Sequence, residues 1–162
     1  IPFQVRMIPL YITFSKIGWI NSYKPLIVPT FFGGASAIFL MRQFFMTIPR
    51  DLSDAARVDG CNELRIFYSI ILPLSKPVLT VVALNYFMGA WNNYIGPLIY
   101  WNRQELYPLA LGLRMLNSSF QEELMWPYQM AASTAVVAPV IVIFFFTQRT
   151  LIEGITLTGI KG

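Results

Sequence analysis

Asn85, Asn92 and Asn93 stand inside an apolar run at residues 77–102 that carries no acidic or basic side chain. An amide donates and accepts hydrogen bonds but has no titratable proton near neutral pH. The chemistry on offer is therefore recognition of hydroxyl-bearing molecules, not the making or breaking of bonds. Asn85, Gly89, Asn92 and Gly96 follow one another at spacings of four, three and four, so on a continuous helix they share one face. Tyr86 and Asn93 lie beside that stripe. Amides within an apolar span are costly unless they meet a partner or a wet cavity. Two readings follow. The stripe lines a path that offers hydrogen bonds to a solute, or it packs helices, with glycines permitting close approach and amides bonding across.

The remaining inventory argues against catalysis. Histidine is absent and Cys61 is the single cysteine. That removes the usual proton shuttle, the commonest metal ligand and the usual activator of a serine or cysteine nucleophile. One cysteine forms no internal disulfide and leaves no thiolate set for a metal. The uncharged runs hold no carboxylate, and no glycine-rich phosphate loop is present. No catalytic residue, metal site or cofactor is expected, and any nucleotide must be bound by another chain.

What positions these residues is a set of membrane spans. Apolar residues make up 56% of the 162, and charged residues only 12%, about half the usual share of roughly 25%. The net charge of +4 is scattered singly, without the basic cluster or stripe that nucleic acid requires. Residues 26–46, interrupted only by Arg42, form one expected crossing, with the Arg42 head snorkelling to the interface. Residues 77–102 and 124–148 form two more, each long enough for the roughly 20 residues that a crossing needs. Residues 7–15 are too short, and the chain opens at Ile1 inside an apolar stretch, so they are expected to be the end of a fourth span whose front is missing. The expected fold is all-α and polytopic. Lys and Arg in the short loops divide seven (Arg42, Arg50, Arg57, Arg65, Lys76, Arg149, Lys161) to four (Lys16, Lys24, Arg103, Arg114), which puts residues 47–75 and the C-terminus in the cytoplasm. Trp19, Trp101 and Trp126 then fall near the outer interface, and residues 103–123 become an external loop.

The charged segment between the first two complete spans is the most specific feature. Pro49 suits the start of a helix, and Asp51 suits its positive end. Leu52, Ala55, Ala56 and Val58 give a small, mostly apolar surface, and Asp54 offers a charge to a basic partner residue. Asp59 and Gly60 break the helix, because glycine takes the left-handed conformation that ends it. Asn62 caps a second helix with Glu63 in its first turn. Ile66, Phe67, Ile70, Ile71 and Leu74 recur at helical spacing and lead through Pro73 and Pro77 into the next span. Two short helices joined by a tight turn make a knob that can fill a cleft on a soluble partner. A DNA-reading helix-turn-helix has the same local pattern, but the flanking spans and the lack of a basic face weigh against it.

The spacing Asp54-Ala55-Ala56, three residues, Gly60, nine residues, Ile70, one residue, Leu72-Pro73 resembles the EAA loop of ABC-importer permeases, with Asp54 in place of the usual glutamate. The resemblance extends through Ile48-Pro49, Asp59-Gly60, Leu72-Pro73-Leu74, Pro77, Trp91-Asn92-Asn93, Pro97-Leu98, Gln148-Arg149, Gly154 and the Gly159-Ile160-Lys161-Gly162 end, and is closest to the second permease of the maltose-type carbohydrate importers. It implies one transmembrane permease domain over residues 1–162 that contributes half of a sugar pathway in a bacterial or archaeal cytoplasmic membrane. It also implies a cytoplasmic ABC ATPase dimer, a second related permease, and an external sugar-binding protein facing residues 103–123. Asp54, Ala55, Ala56, Asp59 and Gly60, with Leu72 and Pro73 closing the loop, are then the ATPase-coupling residues. Asn85, Asn92 and Asn93 become the candidates for the sugar path.

Overall fold

The computed structural model describes residues 2–119 and 126–159, and every regular element among them is helical. In chain order the helices are α1 (Phe3–Lys16), α2 (Lys24–Ile27), α3 (Ala35–Phe45), α4 (Arg50–Val58), α5 (Glu63–Ile66), α6 (Leu72–Leu74), α7 (Lys76–Trp91), α8 (Ile95–Tyr100), α9 (Leu109–Ser119) and α10 (Trp126–Gly159). Contacts divide the chain into two compact units, Ile1–Gly33 with Met88–Val140, and Gly34–Phe87 with Ile141–Gly162.

The first unit is organised around aromatic rings. Phe14 of α1 stacks on Trp19 with ring centres 5.7 Å apart and meets the edge of Tyr100 at 5.4 Å. Trp101 is 5% exposed and meets Tyr23 edge-on at 5.1 Å. Its indole Nε1 donates to the Ser22 carbonyl at 2.6 Å. Asn21, held at φ 60, donates its backbone N–H to the Tyr100 carbonyl at 2.9 Å and accepts from the Asn102 N–H through Oδ1 at 2.6 Å. The loop after α1 is thus tied to the end of α8 by a hydrogen-bonded patch that is half-buried at Ser22 and exposed at Asn21 and Asn102. Of the three tryptophans expected near the outer interface, Trp101 is the one held in this patch. Trp101 is core because its N–H finds an internal acceptor, whereas Trp126 is 62% exposed.

In the second unit a bend dominates. The stretch Glu63–Leu74 meets Lys76–Trp91 at 73°. Pro73 and Pro77 lack the N–H that a continuous helix needs. Upstream of Pro73 the backbone takes a π turn over Phe67–Ile71, with the Leu72 N–H reaching the Phe67 carbonyl. Ser75 sits at the bend, fully buried, its hydroxyl donating to the Ile71 carbonyl at 2.6 Å. The break is therefore built into the chain and internally satisfied.

Two helical stretches, Lys24–Phe45 and Trp126–Gln148, are long and apolar enough to cross a membrane, and a third crossing exists only if the bent pair is one broken span. The expected uninterrupted crossing at 77–102 is corrected. Its helix stops at Trp91, the backbone opens over residues 92–94, and α8 is a separate short helix. At 1.5 Å per residue, the 16 residues of α7 span about 24 Å, short of a hydrocarbon core of about 30 Å. The loop at 103–123 folds into a 3₁₀ turn, Gln104–Leu106, and α9. Residues 120–125 and 160–162, which include the far end of that loop and the Ile160-Lys161-Gly162 end of the family resemblance, lie outside the described residues.

Candidate functional site

The knob at residues 47–75 forms as two helices across a tight turn. Pro49 precedes α4 with φ −58 and ψ 132, fixing an extended entry, and Asp51 and Arg57 occupy the ends of α4 that suit their charges. The exit is a Schellman motif. The Cys61 N–H reaches back to the Ala56 carbonyl at 2.9 Å and the Gly60 N–H to the Arg57 carbonyl at 3.0 Å, with Gly60 at φ 77. Such a φ is cheap only for a residue without a Cβ. Asn62 then starts α5, its side-chain oxygen accepting the Arg65 N–H at 2.8 Å.

A guanidinium clamps the two helices together. Arg57 donates from Nε and Nη2 to the two carboxylate oxygens of Glu63, at 2.8 and 3.3 Å, and from Nη1 to Asp54 Oδ1 at 2.6 Å. A forked, two-pronged contact fixes orientation as well as distance. The hydrogen bonds to Arg57 hold the Glu63 carboxyl below its ordinary range, and Glu63 in turn raises Arg57. All three groups are exposed, so the contact orients the turn more than it stabilises the fold. The spacing of Arg57 and Glu63, six residues apart across a glycine turn, is the sequence signal for this clamp, and the motif alone does not single it out.

The structure brings Asp54, Ala55, Ala56, Asp59 and Gly60 onto one helix and its turn. Asp54, Ala55, Asp59 and Gly60 are exposed, whereas Ala56 turns inward and is 7% exposed. Val58 at 88% and Leu64 at 69% exposure give the knob an apolar tip left uncovered among the described residues. Leu72 and Pro73 are not part of this cluster; they lie at the far end of the second helix, beside the bend. Asp54, expected to await a partner cation, already holds Arg57, although its side chain remains 63% exposed.

The asparagine stripe is corrected in its geometry. Asn85 lies exposed on α7, but Asn92 and Asn93 sit in the break that ends it. Asn92 Nδ2 donates to the Met88 carbonyl at 2.9 Å, and Asn93 Oδ1 accepts the Gly96 N–H at 3.1 Å. Both amides are engaged in closing one helix and opening the next, a local competition with the backbone ladder that asparagine is suited to. Gly96 belongs to α8 and is buried, where a Cβ would come within 2.8 Å of Leu26 Cδ2. Trp91 donates to the Val136 carbonyl at 3.3 Å.

Regular elements that are all helical among the described residues, two stretches long and apolar enough to cross a membrane, and an exposed two-helix knob define an all-α membrane protein. Residues 1–156 match the family described as binding-protein-dependent transport system inner membrane component, and the chain belongs to that family. It is 35% identical over 162 residues to the arabinooligosaccharides transport system permease protein AraQ of Halalkalibacterium halodurans, covering all of this chain and 57% of that protein. The AraQ protein of Bacillus subtilis is 38% identical over 164 residues, with the same coverage. The sn-glycerol-3-phosphate transport system permease protein UgpE of Brucella abortus is 32% identical over 158 residues, covering 98% of this chain and 56% of that protein. The chain thus spans little more than half the length of these relatives. The fold is similar to a crystal structure of a bacterial ABC transporter involved in the import of the acidic polysaccharide alginate. There the TM-score is 0.73 at 24% identity, over 88% of this chain and 55% of that one.

Proposed function

We propose that this chain is a permease subunit of an ATP-driven sugar importer, that it forms half of the translocation pathway, and that residues 47–75 couple it to a cytoplasmic ATPase dimer. The observation that carries this reading is the knob itself. A Schellman turn and a two-pronged Arg57–Glu63 clamp hold two short helices rigid, with an exposed apolar tip, on a stretch that bends 73° into α7. A stiff element of that kind transmits displacement, whereas a flexible loop would absorb it.

In this mechanism ATP closes the ATPase dimer, the knob seated on it moves, and the bend at Ser75 passes the motion to the spans, which re-orient from inward-open to outward-open. An external binding protein hands over its sugar to the opened path, and hydrolysis restores the inward state. The ATPase, a second related permease and the binding protein are separate chains. The site is a bacterial or archaeal cytoplasmic membrane, with residues 47–75 and the C-terminus inside, as the seven-to-four bias of basic residues favours.

The similarity to arabinooligosaccharide permeases over the whole chain supports a sugar. A second reading within the same class is a non-sugar solute, favoured by the similarity to a glycerol-phosphate permease at 32% identity. Uptake of labelled arabinooligosaccharide and labelled glycerol phosphate into vesicles holding the whole transporter separates the two. Uptake driven by an ion gradient without ATP would overturn the coupling role.

A further inference from the structure

In the first unit, a cavity of about 210 Å³ with a mixed apolar and polar lining opens between the residue preceding α8, one face of α9 and the first turns of α10. It is lined by Tyr94, Ala110, Leu113, Arg114, Gln129 and Ser133. Its chemistry differs from that of the asparagine stripe, whose Asn92 and Asn93 amides each make one bond to a backbone group. Arg114 makes no ion pair or hydrogen bond among the described residues, and neither do the Tyr94 and Ser133 hydroxyls. The contrast within α10 is informative. Thr134, next to Ser133, returns its hydroxyl to the Met130 carbonyl at 2.8 Å, the ordinary resort of a helical hydroxyl with nothing else to bind. Ser133 does not. A guanidinium and two hydroxyls that have no partner among the described residues, with the Gln129 amide beside them, therefore line one concave space.

We infer that this cavity is a subsite for an anionic group of the transported solute, a carboxylate or phosphate held by the Arg114 fork, with the Ser133 and Tyr94 hydroxyls contacting flanking hydroxyl groups. Guanidinium is the side chain that matches the planar, two-oxygen geometry of such a group. The volume lies below the roughly 300–1,000 Å³ of a site that encloses a whole small molecule. It fits one charged substituent or one ring edge, so the rest of the solute is held elsewhere along the path. The inference rests on the proposed role of this chain as part of a solute pathway, and it refines that role to solutes bearing negative charge.

The test measures binding without nucleotide, so it fails independently of ATP-driven uptake. The whole transporter in nanodiscs of neutral lipid is titrated calorimetrically with a uronate-ended disaccharide, cellobiouronate, and with its neutral counterpart, cellobiose. The expected result is tighter binding of the acid. Arg114→Gln should lower the acid-to-neutral affinity ratio about tenfold, the loss of one charge-assisted contact. Arg114→Lys should retain part of the preference. Ser133→Ala should weaken the acid without reversing the preference. Arg6→Gln, which removes an equally exposed cation outside the cavity lining, should leave the ratio unchanged. Equal affinities in the unaltered transporter overturn the inference, as does an equal drop in the Arg6 variant. Repeating the titration with phosphatidylglycerol in the nanodisc addresses the other source of anions. If Arg114→Gln alters only retention of that lipid and leaves solute selectivity intact, the cation serves the bilayer and the inference fails.

Discussion

Replacing Gly60 isolates the turn from everything around it. A Cβ built on Gly60 meets no atom within 4 Å, so nothing in the chain obstructs a side chain there. The backbone, at φ 77, is what resists it. A left-handed conformation costs an ordinary L-residue about 1–2 kcal/mol, and strained backbone of this kind reaches about 3 kcal/mol in the worst cases, which include β-branched residues. In a substituted, undocked protein the turn is released to relax from that conformation; docking must restore it, so up to the full cost falls on the association. Gly60→Ala should therefore weaken ATPase retention by about 5–30-fold, and Gly60→Val by about a hundredfold or more. Gly60→Asn, whose side chain tolerates the left-handed region, should lose least. The assay is co-purification of the ATPase with the solubilised transporter over a concentration series, alongside a count of membrane-inserted chains, which should not change. If Val matches Gly, or if Asn is as damaging as Val, the conformational reasoning is wrong.

Other consequences follow from the same geometry. Arg57→Gln should raise the titration midpoint of the Glu63 carboxyl toward its ordinary 4.5, because the clamp holds it lower. By the same sign, the pair's contribution is complete above pH 4.5 and is lost as pH falls below it, which carboxyl-selective NMR titration of isotope-labelled protein reads directly. Asn93→Ala should destabilise the solubilised protein by about 0.5–2 kcal/mol through the lost contact to the Gly96 N–H, whereas Asn93→Ser, which keeps an acceptor, should recover most of it; thermal unfolding of both variants checks this. Trp101→Phe should cost about 0.5–1.5 kcal/mol by removing the bond to the half-buried Ser22 carbonyl, visible in the same melts. A solute role for Asn93 would instead change the apparent uptake KM of both variants with unchanged melting.

The knob was legible in the sequence because its signals are local. Pro49, Asp59-Gly60 and Asn62 each act on backbone within four residues, and each does in the structure what its chemistry dictates. The all-α class was legible for a similar reason, since long uncharged runs admit few alternatives. The break at 92–94 was not, because Asn92 and Asn93 read equally well as part of a helical stripe until their amides are seen bonding to Met88 and Gly96. Nor was the burial of Trp101, which depends on Ser22 from 79 positions away. The Arg57–Glu63 clamp lies between these extremes. Its partners are close in sequence, but they meet only because the turn folds α5 back toward the last turn of α4.

Cys61 provides the most direct test of the central claim. It is the single cysteine of this chain, partly exposed, and follows the Gly60 turn at the tip of the knob. A photoreactive maleimide attached there in the assembled transporter should cross-link to the ATPase on illumination, and ATP should change the yield. A membrane-impermeant maleimide should reach Cys61 only in inverted vesicles or opened cells. Labelling of Cys61 from outside intact cells, with illumination yielding adducts to lipid alone, would contradict the account.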